Sequence, residues 1–452
     1  MTKFLQFLVF SLLSLPSLGF SANLAQVYKQ ALISDPIYQQ IIAATLSTKE
    51  GVPISFSTLL PSLNAQLLPS VTKQAISGAA STFQAGTQTN RGYVFNLNLN
   101  QTVFDFSKMA NLLGARALSK QADAALSAAT QDLMVRVSKA YFTILQDEDN
   151  LAYSKANKTW LAKLLDQVKQ QYRVGLKTMT DVYATQANYD SAVANTITAY
   201  NQVQNDRENL RVITGQLYEQ INKLSSGFPF ISPQPNSIEA WVKKAELQNW
   251  SIKAEQFAVT NKLQNIRQQF AGHLPTLNAN AGYSNNYSYT SQSLYLLGRP
   301  SDQSGPTRTI TKNIGLTLNL PVFQGGYVSA ETQKARYDYE NEVQILEQTF
   351  RQTLNITRQS YLNVSASISK IAADKQAIKS AESALEGMHE GYRVGTKTIV
   401  DVLQQQQNLF NAQKNYAQDR YDYVINLLVL KQSAGTLSGT DLEAINEWLK
   451  EE

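Results

Sequence analysis

One stretch of this chain occurs twice, and the repetition constrains the fold more than any other feature. Residues 171–190 and 391–410 align without a gap at an offset of 220, which carries Tyr172 onto Tyr392. Both segments contain Tyr-Arg-Val-Gly, then Lys-Thr, then Asp-Val. A glycine between two helical patterns is typical of a tight turn that ends one helix before the next begins. Two equivalent turns therefore predict two helical hairpins whose tips can lie side by side.

The duplication extends well beyond the tips. Apolar residues at helical spacing open both halves, around Val27 and around Val242, and a Leu-Pro pair follows each, at Pro61 and at Pro275. A segment rich in proline and glycine separates the halves. The sequence therefore predicts two structural repeats, a linker and a terminal segment: residues 22–226 with a tip at 172–181, residues 227–237, residues 238–437 with a tip at 392–401, and residues 438–452.

The first 21 residues predict a secretory signal peptide. Lys3 precedes an apolar run from Phe4 to Leu15, and small residues follow up to a cleavage point near Ser21. A membrane helix is the alternative, but it needs about 20 apolar residues and this run is shorter. The chain has no cysteine, so we expect an exported protein without disulfides or a lipid-anchored cysteine.

Apolar and polar residues alternate in four short segments after the two Leu-Pro pairs. The clearest are residues 95–100 and 314–320, where one face is Phe, Leu and Ile and the other is mainly Asn and Thr. A sheet covering a soluble core is one interpretation. An uncharged, amide-rich polar face on an exported protein favours a membrane barrel with a wet lumen. We expect one hairpin in each half, with polar extracellular loops near residues 71–90 and 284–308.

Four strands cannot close a barrel by themselves. Known spanning barrels start at eight strands, and an open edge in lipid leaves backbone groups unsatisfied. Either the sheet lies outside a membrane or several chains share one barrel. A dimer would supply about eight strands and a trimer about twelve, and only the wider barrel leaves an aqueous channel.

Between the strands and the tips the apolar spacing is helical and uninterrupted. Roughly 65 residues at about 1.5 Å each correspond to about 100 Å of helix, far longer than the usual globular helix. Helices of this length need neighbours along their whole course. A plain coiled-coil rod is the alternative, but a rod has no use for strands at one end.

Charge and histidine content argue against two other classes of protein. The net charge of +5 is scattered, without the basic run that nucleic-acid binding requires. The two histidines, His273 and His389, are far apart, and no metal-ligand cluster, Ser/His/Asp set or glycine-rich phosphate loop can be assembled. These absences argue against an exported enzyme. We expect no catalytic residues, no metal and no cofactor.

The chain resembles the TolC family of outer-membrane efflux proteins. The resemblance rests on the strand entries LLPSLNAQL and HLPTLNANAGY, the strand exit LNLPVFQGG and the two YRVGxKTxxDV tips. It implies an α+β membrane protein that forms a homotrimer. A twelve-stranded outer-membrane β-barrel, with four strands from each chain, would continue into a long α-helical coiled-coil tunnel in the periplasm. The linker and the terminal segment 438–452 would form an equatorial belt.

The resemblance also implies a function. The chain would be a passive exit duct for drug efflux and type I protein secretion in the outer membrane of a Gram-negative bacterium. Its partners would be two further copies, outer-membrane lipid, a periplasmic adaptor protein and, indirectly, an inner-membrane pump of RND, ABC or MFS type. A periplasmic adaptor or a coiled-coil structural protein is the alternative.

The same resemblance assigns roles to residues at the tips. The gate residues would be Thr180, Asp181, Tyr392 and Lys397. Asp401 and Gln404 would line the narrowest constriction, where a second family carboxylate is replaced by Gln404. The residues that meet the adaptor would be Val174, Gly175, Leu176, Val394, Gly395 and Thr396. Core packing remains an alternative role for Tyr392, and a helix N-terminal role for Asp181 and Asp401.

Overall fold

The structure is a computed structural model that describes residues 21–76, 84–296, 299–301 and 304–450. The predicted signal peptide, apart from Ser21, lies outside the described residues. Ten helices and seven strands are present in the described part of the chain. The helices are α1 (Leu24–Ser34), α2 (Pro36–Lys49), α3 (Gly51–Ser57), α4 (Phe106–Arg173), α5 (Met179–Thr214), α6 (Ile238–Gln248), α7 (Trp250–Phe270), α8 (Tyr327–Arg393), α9 (Ile399–Ser433) and α10 (Gly439–Asn446). The strands are β1 (Ser62–Ile76), β2 (Gln84–Phe104), β3 (Lys223–Leu224), β4 (Thr276–Leu296), β5 (Arg299–Ser301), β6 (Gly305–Asn319) and β7 (Leu449–Lys450).

The long helices match the sequence prediction. α4 has 68 residues and α8 has 67, and each leads into one of the two tips. No proline interrupts these segments, so the backbone hydrogen bonds of each helix run unbroken. Among the described residues, no helix is both long and apolar enough to cross a membrane.

The chain divides into two compact units. Among the described residues, the helical unit contains residues 21–44, 124–253 and 348–450. The sheet unit contains Thr45–Asp123 and Ala254–Glu347. Each unit therefore draws equivalent segments from both halves of the sequence, while the predicted repeat boundaries stay a prediction.

The sheet unit contains two antiparallel hairpins, one from each half. β1 pairs with β2 from Ser62 opposite Asn100, and β4 pairs with β6 from Thr276 opposite Asn319. β2 and β4 pair along most of their length and join the hairpins, so β1 and β6 are the outer long strands. One hairpin per half, with four long strands in all, is confirmed.

The strands extend much further than the alternation predicted. Most of residues 71–90 and 284–308, which we expected to be loops, lie in the ladder, for example Thr72 opposite Asn90 and Ser288 opposite Thr307. The loop prediction was wrong there, because antiparallel pairing is made by backbone groups, and Thr and Tyr favour strands even where the apolar and polar alternation is lost.

The core of the helical unit confirms the stripes that open both halves. Leu24, Val27 and Ala31 of α1 are buried, and Trp241 and Val242 of α6 are buried as well. A fully buried tyrosine, Tyr141, donates a hydrogen bond of 2.7 Å from its hydroxyl to the Asn222 carbonyl oxygen.

The described part of the terminal segment 438–452 is helical only at its start. α10 ends at Asn446 and β7 then pairs with β3, Leu449 lying opposite Leu224. Lys431 Nζ contacts Asp441 Oδ1 at 2.6 Å and holds α10 on the end of α9. The pairing with β3 ends the helix, because the backbone of β7 needs extended geometry to reach its partner strand.

Candidate gate and docking surface at the hairpin tips

The first tip is a glycine turn that ends α4. Gly175 has φ of 78°, a left-handed conformation that only glycine adopts without strain. The N–H of Leu176 donates to the Gln171 carbonyl oxygen at 2.9 Å, and the N–H of Gly175 donates to the Tyr172 carbonyl oxygen at 2.9 Å. These two bonds form a Schellman motif, which satisfies the last carbonyl groups of the helix.

The second tip repeats this turn at the end of α8. Gly395 has φ of 85°, and the N–H of Thr396 donates to the Gly391 carbonyl oxygen at 2.9 Å. A Cβ atom added at Gly175 or Gly395 would meet nothing within 4 Å. Glycine is therefore required at both positions for its backbone conformation and not because a neighbour crowds it.

A capping box begins the helix that follows each turn. At α5, the Asp181 N–H donates to Thr178 Oγ1 at 3.2 Å, and the Thr178 N–H donates to Asp181 Oδ2 at 3.1 Å. Thr398 and Asp401 form the same box at α9. Both aspartates therefore do occupy the helix N-terminal position that the sequence left open. The Thr-x-x-Asp spacing in both tips is the sequence signal that could have identified these boxes.

Asp401 and Gln404 lie on one exposed face of α9. Hydrogen bonds from the Thr398 backbone and hydroxyl, and the charge of Lys397, hold the pKa of Asp401 below its usual range. Asp401 therefore carries a negative charge at neutral pH. Gln404 stands three residues further on, where helical residues are neighbours, and its amide nitrogen donates to Asn408 Oδ1 at 3.2 Å.

An apolar cluster inside the helical unit joins the two hairpins near their tips. Its central aromatic residue is Tyr392, whose side chain is only 2% exposed. The cluster, which we call the tip core, consists of Leu161, Leu164, Val168, Val182, Ala192, Tyr392, Ile399, Val402 and Leu403. Residues from both hairpins contribute, so burial of this cluster holds the two tips of one chain together.

A lysine of the other hairpin also contacts the ring of Tyr392. The ammonium of Lys177 lies 3.6 Å from the centre of the Tyr392 ring, within the range of a cation–π contact. Burial, together with the charge of Asp181, raises the pKa of Tyr392 to about 12. The buried hydroxyl has no hydrogen-bond partner among the residues that the structure describes. Within one chain Tyr392 thus acts through its ring, while Asp181 accepts the capping hydrogen bond of Thr178.

The remaining gate residues are on the surface of the chain. Thr180 and Lys397 are exposed, and in the described part of the chain the Lys397 side chain forms neither an ion pair nor a ring contact. The structure therefore brings Tyr392 close to Asp181 and leaves Thr180 and Lys397 facing outward.

The predicted docking residues form an exposed apolar rim around the two glycines. Val174 is 70% exposed, Leu176 is 72% exposed and Val394 is 66% exposed. Thr396 is also exposed, and its hydroxyl donates to the Gly391 carbonyl oxygen at 3.1 Å. Large apolar side chains at such exposure are available for contact with another protein.

Two pairs of neighbouring carboxyl groups, farther along the long helices from the tips, were not predicted from the sequence. Burial and the neighbouring Asp206 raise the pKa of Asp147 to about 6, and burial and Asp419 raise the pKa of Asp374 to about 6. Each pair joins antiparallel helices of one hairpin, so no local spacing in the sequence marks it. Among the described residues, no group of three or more His, Cys, Asp or Glu side chains could hold a metal ion.

Comparison with known proteins identifies the family of this chain. The model of the family described as "Outer membrane efflux protein" matches residues 27–216 and again residues 241–436, so each half is matched once.

Curated relatives match over nearly the whole chain. The chain is 36% identical to outer membrane protein TolC of Escherichia coli, covering 99% of this chain and 90% of the relative. It is 34% identical to TolC of Vibrio cholerae, with 97% and 96% covered. It is 26% identical to the alkaline protease secretion protein AprF of Pseudomonas aeruginosa, with 94% and 87% covered.

Solved structures agree on the fold. The crystal structure of CusC superposes with a TM-score of 0.77 at 16% identity, covering 92% of each chain. The CmeC outer membrane channel of Campylobacter jejuni superposes with a TM-score of 0.74 at 17% identity, covering 95% of this chain and 90% of CmeC. The resemblance drawn from the strand and tip motifs is thereby confirmed. The chain belongs to the outer membrane efflux protein family, whose members are ducts of the Gram-negative outer membrane and not enzymes.

Proposed function

We propose that three copies of this chain form one outer-membrane exit duct for drug efflux and type I protein secretion. The observation that carries the proposal is the sheet, in which β1 and β6 each have a strand neighbour on one side only within the described residues. In lipid, each unsatisfied backbone group costs several kcal/mol, so an open edge is not tolerated. Three such sheets joined edge to edge close a barrel of about twelve strands.

The outer strand β6 has the side-chain pattern that a barrel wall needs. Ile314, Leu316 and Leu318 are exposed and point to one face, while Thr317 and Asn319 point to the other. In a barrel the apolar face contacts lipid and the amide and hydroxyl face lines the lumen. This division supports a water-filled passage.

The tips serve as the periplasmic entrance and as the docking surface. The exposed rim of Val174, Leu176 and Val394 supports contact with a periplasmic adaptor protein, through which an inner-membrane pump of RND, ABC or MFS type connects. The similarity to TolC and to an alkaline protease secretion protein supports both efflux and secretion as cargo routes.

The gate is assigned to the same tips. Exposed Lys397 reaches a neighbouring copy, where Thr180 and Asp181 supply acceptor oxygens, and Tyr392 supports the tip from within through its ring. Asp401 and Gln404 face the narrowest point of the channel. One ring of three carboxylates attracts cations there, and the Gln404 amides add no charge.

The repeat boundaries belong to this proposal as well. Residues 22–226 and 238–437 each supply one strand hairpin and one helical hairpin, and residues 227–237 link them. The linker and the terminal segment 438–452 form an equatorial belt, which the contact between the Phe228 and Trp448 rings, with centroids 6.0 Å apart, supports.

Conductance tests the duct itself. The full-length protein, extracted from outer membranes with detergent, should form trimers and give uniform stepwise conductance in a planar bilayer. A periplasmic adaptor or a coiled-coil structural protein would need no detergent and give no steps. Monomeric protein without conductance would refute the proposal.

Cation block tests the constriction. Asp401→Asn keeps an acceptor oxygen for the helix cap but removes the charge, so trivalent cations added from the periplasmic side should no longer block the channel. Gln404→Asp adds a second ring of carboxylates and should strengthen the block. Asp166→Asn, at an exposed position of α4, is the matched control and should block like the wild type. Unchanged block in Asp401→Asn would show that this residue does not line the narrowest point.

A further inference from the structure

Tyr172 and Lys397 occupy positions equivalent to those of a cation–π pair in the other tip, but they do not contact each other within the described chain. The offset of 220 that relates the halves carries Tyr172 onto Tyr392 and Lys177 onto Lys397. Lys177 lies over the Tyr392 ring at 3.6 Å. Within the described chain the equivalent pair, Lys397 and Tyr172, makes no such contact.

The exposed fractions of these side chains show that Tyr172 and Lys397 are accessible to another copy. Tyr392 is 2% exposed and Tyr172 is 44% exposed, although both lie at the same place in the same glycine turn. Lys177 is partly buried, whereas Lys397 is exposed. The two turns share their Schellman hydrogen bonds and their capping boxes, so local backbone geometry does not explain the difference. Each tip has one neighbouring tip in its own chain, and Lys177 and Tyr392 lie on the sides of the two tips that face each other.

A closed ring of copies supplies the missing neighbour. Around such a ring, the first tip (172–181) and the second tip (392–401) alternate. The second tip of one copy therefore packs against the first tip of the next copy in the same way as the first tip packs against the second within one chain. We infer that the ammonium of Lys397 lies over the Tyr172 ring of the adjacent copy. This inference rests on the proposed trimer and adds Tyr172 to its gate.

In the observed pair, Lys177 lies over the Tyr392 ring and forms no ion pair among the described residues, including with Asp401, the counterpart of Asp181. A tyrosine face attracts an ammonium through its quadrupole. Lys397 therefore has an aromatic surface on its neighbour as well as the acceptor oxygens of Thr180 and Asp181, and its three N–H donors allow both.

The two kinds of contact differ in their role. Each Lys177–Tyr392 contact rests on the buried tip core and stays intact while the channel opens. Each Lys397–Tyr172 contact joins two chains through exposed side chains, so it is the one that separates when the tips move apart.

Crosslinking tests the contact directly, because the chain contains no native cysteine. A variant with Lys397→Cys and Tyr172→Cys in the full-length trimer, treated with a short bismaleimide, should give covalent dimers and trimers on a heated denaturing gel. The matched control with Lys177→Cys and Tyr392→Cys should crosslink within one chain and remain monomeric. Coupling of Lys397→Cys to Thr180→Cys but not to Tyr172→Cys would overturn the inference.

Channel recordings test the role of the ring. Tyr172→Leu should raise the open fraction roughly tenfold, because three exposed cation–π contacts are lost together. Lys397→Met should raise the open fraction at least as much, because it also removes the hydrogen bonds to Thr180 and Asp181. Adding Tyr172→Leu to Lys397→Met should change little further, since the ring contact is already lost. Tyr172→Phe keeps the aromatic ring, so its channels should have an open fraction close to that of the wild type. An open fraction in Tyr172→Phe as high as in Tyr172→Leu would contradict the inference.

The two proposals fail in different ways. Wild-type protein that forms no conducting trimers would refute the exit duct. Conducting trimers that neither crosslink at Tyr172 and Lys397 nor respond to Tyr172→Leu would refute this contact alone.

Discussion

The two tips of the chain have the same motif and the same backbone but different surroundings. Both end a long helix at a left-handed glycine, and both begin the next helix with a Thr and Asp capping box. Yet Tyr392 is buried in the tip core and Tyr172 is 44% exposed. The repeated motif therefore specifies a turn, whereas the neighbouring hairpin decides which side chains are buried.

The largest difference between the tips should come from their tyrosines. Tyr392→Ala removes a buried ring and should cost about 3 to 5 kcal/mol, by analogy with other buried aromatic residues. Tyr172→Ala removes a partly exposed ring and should cost much less. Amide hydrogen exchange of the tip core in purified trimers, followed by mass spectrometry, would measure both as local opening.

The phenylalanine variant separates ring from hydroxyl at this site. Tyr392→Phe keeps the ring under Lys177 and removes only a hydroxyl that has no partner within the described chain, so exchange should stay close to that of the wild type. Exchange in Tyr392→Phe as fast as in Tyr392→Ala would show that the hydroxyl holds the tip, contrary to the assignment made from the ring contact.

The glycines should instead behave alike. Gly175→Ala and Gly395→Ala each place a side chain in the left-handed region, which should cost about 1 to 2 kcal/mol per turn. Asn tolerates this conformation better, so Gly175→Asn and Gly395→Asn are matched controls with a smaller loss. Exchange of the Leu176 and Thr396 amides, which close the two turns, reports the effect. Clearly unequal losses would mean that tertiary contacts, and not local conformation, shape the turns.

The smallest effects should come from the caps. Thr178→Ala and Thr398→Ala each remove one capping acceptor and should cost about 1 kcal/mol. Thr178→Ser and Thr398→Ser keep a hydroxyl and should restore most of the loss. Faster exchange of the Asp181 and Asp401 amides is the expected signal. A cap variant that opened the whole tip core would contradict the local role assigned to both boxes.

Much of this architecture followed from the amino-acid pattern alone. The glycine turns, the helices of 68 and 67 residues and one strand hairpin per half are all local in origin, and the offset of 220 shows each of them twice. Helical spacing, backbone freedom at glycine and strand alternation act over a few residues, so a sequence displays them directly. The loop predictions near residues 71–90 and 284–308 were wrong for the described parts of these ranges, because backbone pairing with neighbouring strands extends them into the ladder. Residues 77–83, 297–298 and 302–303 lie outside the described residues.

Only the tertiary structure decided what the tip residues contact. No local pattern distinguishes Tyr172 from Tyr392, or Lys177 from Lys397, since each pair occupies equivalent positions of one motif. The Asp147–Asp206 and Asp374–Asp419 pairs likewise could not be predicted from the sequence, because the two residues of each pair lie on different helices. Burial and charge depend on which surface a second element covers, and that surface comes from parts of the chain far away in sequence. The motif therefore determined the shape of each tip, while the packing of one hairpin against the other determined which tyrosine became buried.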